Sequence, residues 1–256
     1  MQIKDYPLIT ALSNDDLLLV QTASDDAFKS LKVSDLKSYI GVSSSSGSGS
    51  GSVTSYPSGM ALLLDGGSLI DKSGNSRNAS PIGDNSPLPA TGIDGKKVLR
   101  WNGSGNQELQ VTDFLDGTTG ATLYCVYSVT GTGNYNLVRT YALDDYWHFI
   151  DGNGYIGTFQ NVRHEAYPPS MPNSGNHLIS IHASSTSYEV VLDTISKGSQ
   201  SSSYASGDRF RIGTNDKSFS GDIALLLVYP QYVQPNSTSD LGVRNSIKSA
   251  YPSLSI

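Results

Sequence analysis

The sequence predicts an all-β chain built around a two-layered sandwich, and three observations lead there. Its 256 residues include 26 Gly, 11 Pro and 15 Tyr; glycine and proline interrupt helices, and tyrosine suits a pleated surface. Only three of the 23 acidic residues are glutamate (Glu108, Glu165 and Glu189), and aspartate favours turns and caps over helix interiors. Beyond residue 53, eleven short apolar phrases alternate with clusters of Gly, Asn, Asp, Ser and Pro, the rhythm of strand and turn. The length holds one sandwich of about 200 residues and a small accessory piece, which excludes a large multidomain enzyme.

Residues 1–42 form the accessory piece. Their apolar residues, among them Leu17 to Val20, Phe28, Leu31 and Leu36, are spaced as short elements, and Ser34-Asp-Leu-Lys-Ser-Tyr-Ile-Gly41 reads as a short helix capped by Ser34 and ended by Gly41. Forty residues seldom build a stable core alone, so this segment is expected to gain order by docking on another protein or by self-association. A linker over residues 43–55 follows. Its Ser43-Ser-Ser-Ser-Gly-Ser-Gly-Ser-Gly-Ser52 is a flexible tether, a composition shared by natural hinges and designed fusion linkers.

The body spans residues 56–256. Its strand-like phrases lie at 61–64, 97–101, 108–111, 121–129, 136–141, 146–150, 155–160, 177–183, 188–192, 209–212 and 221–229. Residues 209–212 and 177–182 alternate polar and apolar, as half-buried antiparallel strands do, whereas Ile223-Ala-Leu-Leu-Leu-Val-Tyr229 is continuously apolar and belongs at a sheet centre. Asp151-Gly-Asn-Gly154 supplies the turn of a hairpin between 146–150 and 155–160. Residues 239–251, with apolar side chains at 241, 243, 247 and 250 after a Ser/Asp cap, read as an amphipathic helix lying on the sandwich.

Composition narrows the function. A net charge of −6 and only 16% charged residues leave no basic footprint for a phosphate backbone, so nucleic-acid binding is excluded. The lone Cys125 sits in the apolar run Leu123-Tyr-Cys-Val-Tyr127 and reads as a buried, inert thiol. The longest apolar run near the amino terminus, Leu17 to Val20, is too short for an export signal, and no run reaches the roughly 20 residues that insert into a membrane.

Two resemblances add to this reading. Residues 3–40 resemble the amino-terminal stretch of bacteriophage tail-fibre and other virion appendage proteins, through Ile3-Lys-Asp-Tyr-Pro-Leu-Ile-Thr-Ala-Leu12, Asn14-Asp-Asp-Leu-Leu-Leu-Val-Gln21 and Lys29-Ser-Leu-Lys-Val-Ser-Asp-Leu-Lys37. Residues 56–253 resemble the concanavalin A-like lectin/glucanase superfamily, particularly its LamG-type modules. Three stretches carry that likeness: Asp71-Lys-Ser-Gly-Asn-Ser-Arg-Asn-Ala79, Val98-Leu-Arg-Trp-Asn-Gly-Ser-Gly-Asn-Gln-Glu-Leu-Gln-Val111, and Phe210-Arg-Ile-Gly-Thr-Asn215 with residues 219–229. The family's strand and Asn-Gly turn are echoed by residues 190–198, with Asp193-Thr194 in place of Asn-Gly, and its closing helix by 239–251. The resemblance implies a jelly-roll sandwich of two antiparallel sheets, a fold used for carbohydrate or protein recognition.

Glucanases of this superfamily carry a Glu-x-Asp-x-x-Glu phrase, since retaining hydrolysis needs two carboxylates about 5–5.5 Å apart; no such phrase occurs here, and the expectation is a non-enzyme. Serine, histidine and aspartate are present in number, but there is no Gly-x-Ser-x-Gly elbow. His177 and His182 are separated by an odd number and so face opposite sides of a strand, which leaves no metal-ligand spacing. Calcium is the one cofactor the resemblance leaves possible, with Asp65, Asp71, Asp144, Asp145 and Asp151 in turns, although turn aspartates mostly hydrogen-bond nearby backbone. Sugar recognition needs an aromatic ring for the apolar face of a pyranose and planar polar groups for its hydroxyls. Asp144, Asp145, Tyr146, Trp147 and His148 collect these types at a loop-to-strand junction, and Arg163-His-Glu-Ala-Tyr167, ending in Tyr167, is a second cluster. Strict alternation would place Tyr146 and His148 outside and Trp147 in the core.

The combined expectation is a virion protein, a tail fibre or similar appendage. It would be anchored to other virion proteins through residues 1–42, homotrimeric as such fibres commonly are, and bind a host-surface glycan through its body. A phage protein made in the host cytoplasm and released by lysis needs no export signal. The rival expectations are capsid decoration without a ligand and a polysaccharide depolymerase.

Overall fold

A computed structural model of the chain describes residues 17–21, 28–32, 56–82, 85–103, 107–112, 115, 117–130, 135–140, 146–150, 156–160, 162–166, 175–201, 209–213 and 219–256. The chain divides into two compact units, Met1–Ser58 and Gly59–Ile256. In the first, β1 (Leu17–Gln21) and β2 (Phe28–Lys32) pair antiparallel, with Leu18 opposite Leu31 and Gln21 opposite Phe28. The expected helix over 34–41 and the Ser/Gly tether lie outside the described residues.

The second unit is the expected antiparallel sandwich. Its strands are β3 (Leu62–Asp65), β4 (Ser80–Ile82), β5 (Leu88–Thr91), β6 (Lys97–Asn102), β7 (Glu108–Thr112), β8 (Ala121–Val129), β9 (Tyr135–Thr140), β10 (Tyr146–Ile150), β11 (Ile156–Gln160), β12 (Val162–Ala166), β13 (Asn176–Ala183), β14 (Ser187–Leu192), β15 (Ile195–Ser201), β16 (Arg209–Ile212) and β17 (Ser220–Tyr229). One sheet has seven strands in the order β12-β11-β10-β9-β16-β7-β4. The other has eight, in the order β15-β14-β13-β8-β17-β6-β5 with β3 also on β17. β6 and β3 share one edge of β17 in succession, β6 pairing with its first half and β3 with its second, while β8 runs along the other edge.

Every apolar phrase expected to be a strand is one. Four strands were not expected, and each ends a sheet: β4 and β12 flank the seven-stranded sheet, β5 and β15 the eight-stranded one. β4 and β5 contain Pro81 and Pro89, which read as strand breakers, yet an edge strand has one side with no ladder bond to donate. β12 (Val-Arg-His-Glu-Ala) and β15 (Ile-Ser-Lys-Gly-Ser-Gln-Ser) are polar, as edges that must not recruit another strand tend to be.

The core between the sheets is drawn from both. Leu109, Val111, Val138, Phe210 and Ile212 come from the seven-stranded sheet, and Leu99, Trp101, Leu123, Ile179, Val190, Leu226 and others from the eight-stranded one. Cys125 is fully buried among them, and burial pushes its thiol far above the ordinary range, so the inert reading holds. Trp101 donates its indole N–H to the Gln107 carbonyl at 2.9 Å and meets the edge of Phe219 at 5.6 Å. Gly213, after β16, takes φ +65, and a Cβ there would collide with the Trp101 indole nitrogen, which is why the Arg-Phe-Arg-Ile phrase ends in glycine.

β8 and β17 are buried on both faces, so the outer face of their sheet needs a second cover. Helix α1 (Thr238–Ala250) supplies it. Ser237 caps it, its hydroxyl accepting from the Asp240 amide, and Asp240 and Lys248 stand in the first and last turns, where they complement the helix dipole. The face turned to the sheet differs from the expected one. Leu241 is exposed, and Asp240 and Arg244 are buried beside Val243, Ile247 and Ala250.

That buried pair is satisfied on every side. Tyr124 of β8 donates its hydroxyl to Asp240 Oδ1 at 2.7 Å, and Arg244 Nε donates to Oδ2 at 3.0 Å. The remaining guanidinium nitrogens reach Ser180 Oγ on β13 at 2.5 Å and the Asp193 carbonyl at 2.6 Å. We predict that Arg244→Ala, which strands a buried carboxylate, lowers stability by about 3–5 kcal/mol. Urea unfolding should show a lower midpoint with an unchanged slope. A loss under about 1 kcal/mol would mean that α1 is held by its apolar contacts alone.

Candidate functional site

Of the residues expected to bind a ligand, Asp144, Asp145 and Tyr167 lie outside the described residues, while Tyr146, Trp147 and His148 open β10. β10 runs inside the seven-stranded sheet between β9 and β11. The expected hairpin is present, since Ile150 pairs with Ile156; its turn over 151–155 lies outside the described residues.

Strict alternation along β10 fails. The register is interrupted between Tyr146 and His148 against β9, and between Tyr146 and Phe149 against β11, so Trp147 lies within both irregularities. Tyr146 is opposite Arg139, but His148 is opposite Val138, the adjacent residue of β9. The register recovers at Phe149, which is opposite Asn136, so the irregularity is confined to the start of the strand. Bulges of this kind re-aim residues and recur beside binding sites.

Register extends the Tyr146 position into a row across the sheet: Gln110 of β7, Arg211 of β16, Arg139 of β9, Tyr146, Phe159 of β11 and Arg163 of β12. Arg211 fixes the face of this row, because its neighbours Phe210 and Ile212 are buried in the core. On this face Thr112 is exposed and Gln110 half-buried, while Glu108 and Leu137 are fully buried and the Arg211 side chain is largely so. Arg211 is anchored by Glu108, both of whose carboxylate oxygens accept from Nη1 at 3.3 and 3.2 Å. Of the second cluster, Arg163 to Tyr167, residues 163–166 lie on strand β12 at the edge of this sheet, and Tyr167 lies outside the described residues. Sequence reasoning missed the row because it joins residues from six strands that no local spacing connects.

The structure also gathers Ser180, His182 and Asp240, the residue types of a hydrolase triad. Their geometry is that of a structural cluster. His182 Nδ1 donates to the Val233 carbonyl at 2.7 Å, so Nε2 is the acceptor nitrogen, and it faces Ser180 Oγ at 2.9 Å and Asp240 Oδ1 at 3.9 Å. A triad needs the carboxylate on Nδ1 and the nucleophile on Nε2; here serine and carboxylate approach the same nitrogen. All three are fully buried, Ser180 and His182 on β13 beneath α1 and Asp240 on α1 itself. His177 belongs to the other face of β13 and pairs with Asp193 at 3.0 Å.

The turn aspartates that bear on calcium and are described are bound within the protein. Asp71 accepts from the Leu63, Ser73 and Arg77 amides at 2.8–3.0 Å and from the Ser73 hydroxyl at 2.8 Å, which folds residues 71–78 into a closed loop. Burial by itself would raise its carboxyl, but these hydrogen bonds win and hold it below 3.8. Asp65 accepts from the Tyr251 hydroxyl at 2.9 Å. Among the described residues, no group of three or more His, Cys, Asp or Glu is placed to hold a metal ion.

Comparison with protein-family models and with curated proteins gives no match. Comparison with solved structures does. Domain 4 of AbnA, a GH43 extracellular arabinanase from Geobacillus stearothermophilus, solved in complex with arabinotriose, superposes with TM-score 0.58 at 16% identity, covering 72% of this chain and 98% of that one. The binding domain of botulinum neurotoxin DC in complex with SialylT gives 0.55 at 11% identity, covering 75% of this chain and 52% of that one. The binding domain of Paraclostridial Mosquitocidal Protein 1 gives 0.55 at 11%, covering 73% and 52%. The chain thus spans about half the length of the toxin binding domains. At these identities the likeness establishes the sandwich fold.

The buried imidazole gives the fold an acid limit. Burial holds His182 below its ordinary 6.5, against the attraction of Asp240 and the Val233 carbonyl. Below about pH 6.5 the unfolded chain takes up a proton that the folded one refuses, so stability falls as pH drops from there towards the folded value. We predict that His182→Gln flattens this part of the curve in unfolding titrations between pH 7.5 and 5; an unchanged slope would place the sensitivity elsewhere.

Proposed function

We propose that the protein is a lectin-like binding protein of a virion, a tail fibre or similar appendage. In this reading residues 1–42 attach it to other virion proteins, residues 43–55 tether it, and the body binds host-surface carbohydrate. The observation that carries the binding role is the asymmetry of the sandwich. α1 occupies the outer face of the eight-stranded sheet, while a row of planar polar and aromatic residues crosses the seven-stranded one. The residue types in such a row are those a pyranose requires, rings for its apolar face and planar hydrogen-bond donors for its hydroxyls.

Solved structures sharing this fold support the reading, because one was determined with arabinotriose, and one is described under the dependence of botulinum neurotoxin type C on two ganglioside molecules for cell entry. Binding without catalysis is favoured by the state of the carboxylates. Glu108 is committed to Arg211, Glu189 accepts from the Ser196 hydroxyl, and the Ser180, His182 and Asp240 cluster is sealed. The attachment role rests on the resemblance of residues 3–40 to virion appendage proteins. Homotrimeric assembly would multiply weak sugar sites by avidity.

A glycan array read alongside a reducing-end assay tests the binding role. Binding with no released reducing ends is expected; release would favour a depolymerase, and no binding to array or host envelope would favour ligand-free decoration. Removing residues 1–42 is expected to leave glycan binding intact and the protein missing from purified particles. Truncated protein at normal copy number in particles would contradict the attachment role.

A further inference from the structure

The sandwich has a gap where its central strand changes partner. β17 pairs with β6 as far as Ile223, opposite Leu99, and with β3 from Leu225, opposite Asp65. Ala224 stands between the two pairings, at a register shift against β8, and at such a break the ladder is locally disrupted. A cavity lies there. Leu64, Leu99, Trp101, Leu109, Ile212 and Leu226 form its buried walls, and the half-buried Asp65, Gly67 and Ser68 mark its mouth.

The loop after β3 is bent to this position. Gly66 and Gly67 take φ +70 and +69, and a Cβ on Gly67 would lie 2.7 Å from the Val98 carbonyl oxygen, so the chain hugs β6 and brings Ser68 to the mouth. The polar groups there have capacity to spare among the described residues. Asp65 Oδ1 accepts from the Tyr251 hydroxyl at 2.9 Å, but Oδ2 has Lys72 Nζ only at 3.9 Å, outside hydrogen-bond reach. The Ser68 hydroxyl accepts from the Ile70 amide at 3.1 Å, which leaves its own hydrogen to donate. Ile70 itself is 63% exposed, an aliphatic surface next to a polar mouth.

Size and lining select the guest. The volume, about 10 Å³ for the centre of a water-sized sphere, has room for one group of water or methyl size. Water needs two to four polar partners, which the leucine, isoleucine and tryptophan walls do not offer, whereas a methyl group needs none.

We infer that this mouth binds an acetamido sugar, with the methyl of the N-acetyl group in the cavity, the Ser68 hydroxyl donating to its carbonyl oxygen and Asp65 Oδ2 accepting from its amide N–H. It rests on the lectin reading and adds a contact apart from the row on the seven-stranded sheet. An acetamido substituent unites a methyl, an acceptor and a donor on adjoining atoms; a sugar hydroxyl in the same place would set an unpaired polar group against apolar walls.

Isothermal titration of the full-length protein with N-formyl, N-acetyl and N-propionyl forms of the same glucosamine and galactosamine oligosaccharides tests this, since the three forms are neutral and differ by single carbons. In at least one series the acetyl form should bind about fivefold or more tightly than the formyl form, which leaves the cavity empty, and than the propionyl form, which overfills it. Ser68→Ala should weaken the acetyl form about fivefold with unchanged thermal unfolding. Ile223→Val widens the cavity wall by one methyl and should raise propionyl affinity relative to acetyl, a gain that a misfolded protein cannot give. Equal binding of formyl and acetyl forms, or an acetyl preference untouched by both substitutions, would overturn the acetamido site. Binding of other array glycans with none of these probes would do the same, and in each case the lectin reading stands. Binding of no glycan at all would overturn both.

Discussion

The architecture turns on a covering problem. β8 and β17, the central strands of the eight-stranded sheet, are apolar on both faces, and an uncovered outer face would present a broad hydrophobic surface to water. α1 resolves this at a risk, because its contact face includes Asp240 and Arg244. A buried ion pair is tolerable when the partners satisfy each other and their remaining hydrogen-bonding groups, and here Tyr124, Ser180, the Asp193 carbonyl and the Asn236 amide do so. Thr122 completes the layer, accepting from the Val233 amide and donating to the Gln231 carbonyl, which pins the segment leading into the helix. Polar groups that must all be paired specify one position for α1, where an apolar face would allow it to slide.

With the helix committed to one sheet, the proposed recognition surface is the other, whose strands carry arginines, tyrosine, phenylalanine and a bulge. The same division settles the meaning of the serine, histidine and aspartate brought together beneath α1. Their proximity belongs to the clamp: the imidazole gives its Nδ1 hydrogen to the Val233 carbonyl and not to Asp240, and all three side chains are fully buried.

The fold was legible because interior strands carry a strong signal. Residues 221–229 can only be a central strand, and Cys125 can only be buried where its neighbours are Tyr124 and Val126. The edges were not legible, since prolines in β4 and β5 and charges in β12 signal turns when read locally and become strands only when the sheet supplies a partner on one side. The helix was found, but its inward face was misassigned: Leu241 fits the amphipathic pattern, and nothing in the sequence says that Asp240 and Arg244 will find Tyr124 and Ser180, more than sixty positions away in the chain. The row across the seven-stranded sheet was half legible. Tyr146, Trp147 and His148 drew attention by composition, but their partners across the sheet depend on register, which the bulge in β10 makes irregular.

In the proposed function one sheet is sealed by α1 and the other recognises the ligand. Hydrogen-exchange mass spectrometry of the full-length protein, with and without the tightest-binding glycan from the array, tests it directly. The account predicts slowed exchange in peptides spanning β9 to β12 and no change in α1 or β8. Slowing confined to α1 and the strands beneath it, with β9 to β12 unaffected, would contradict it.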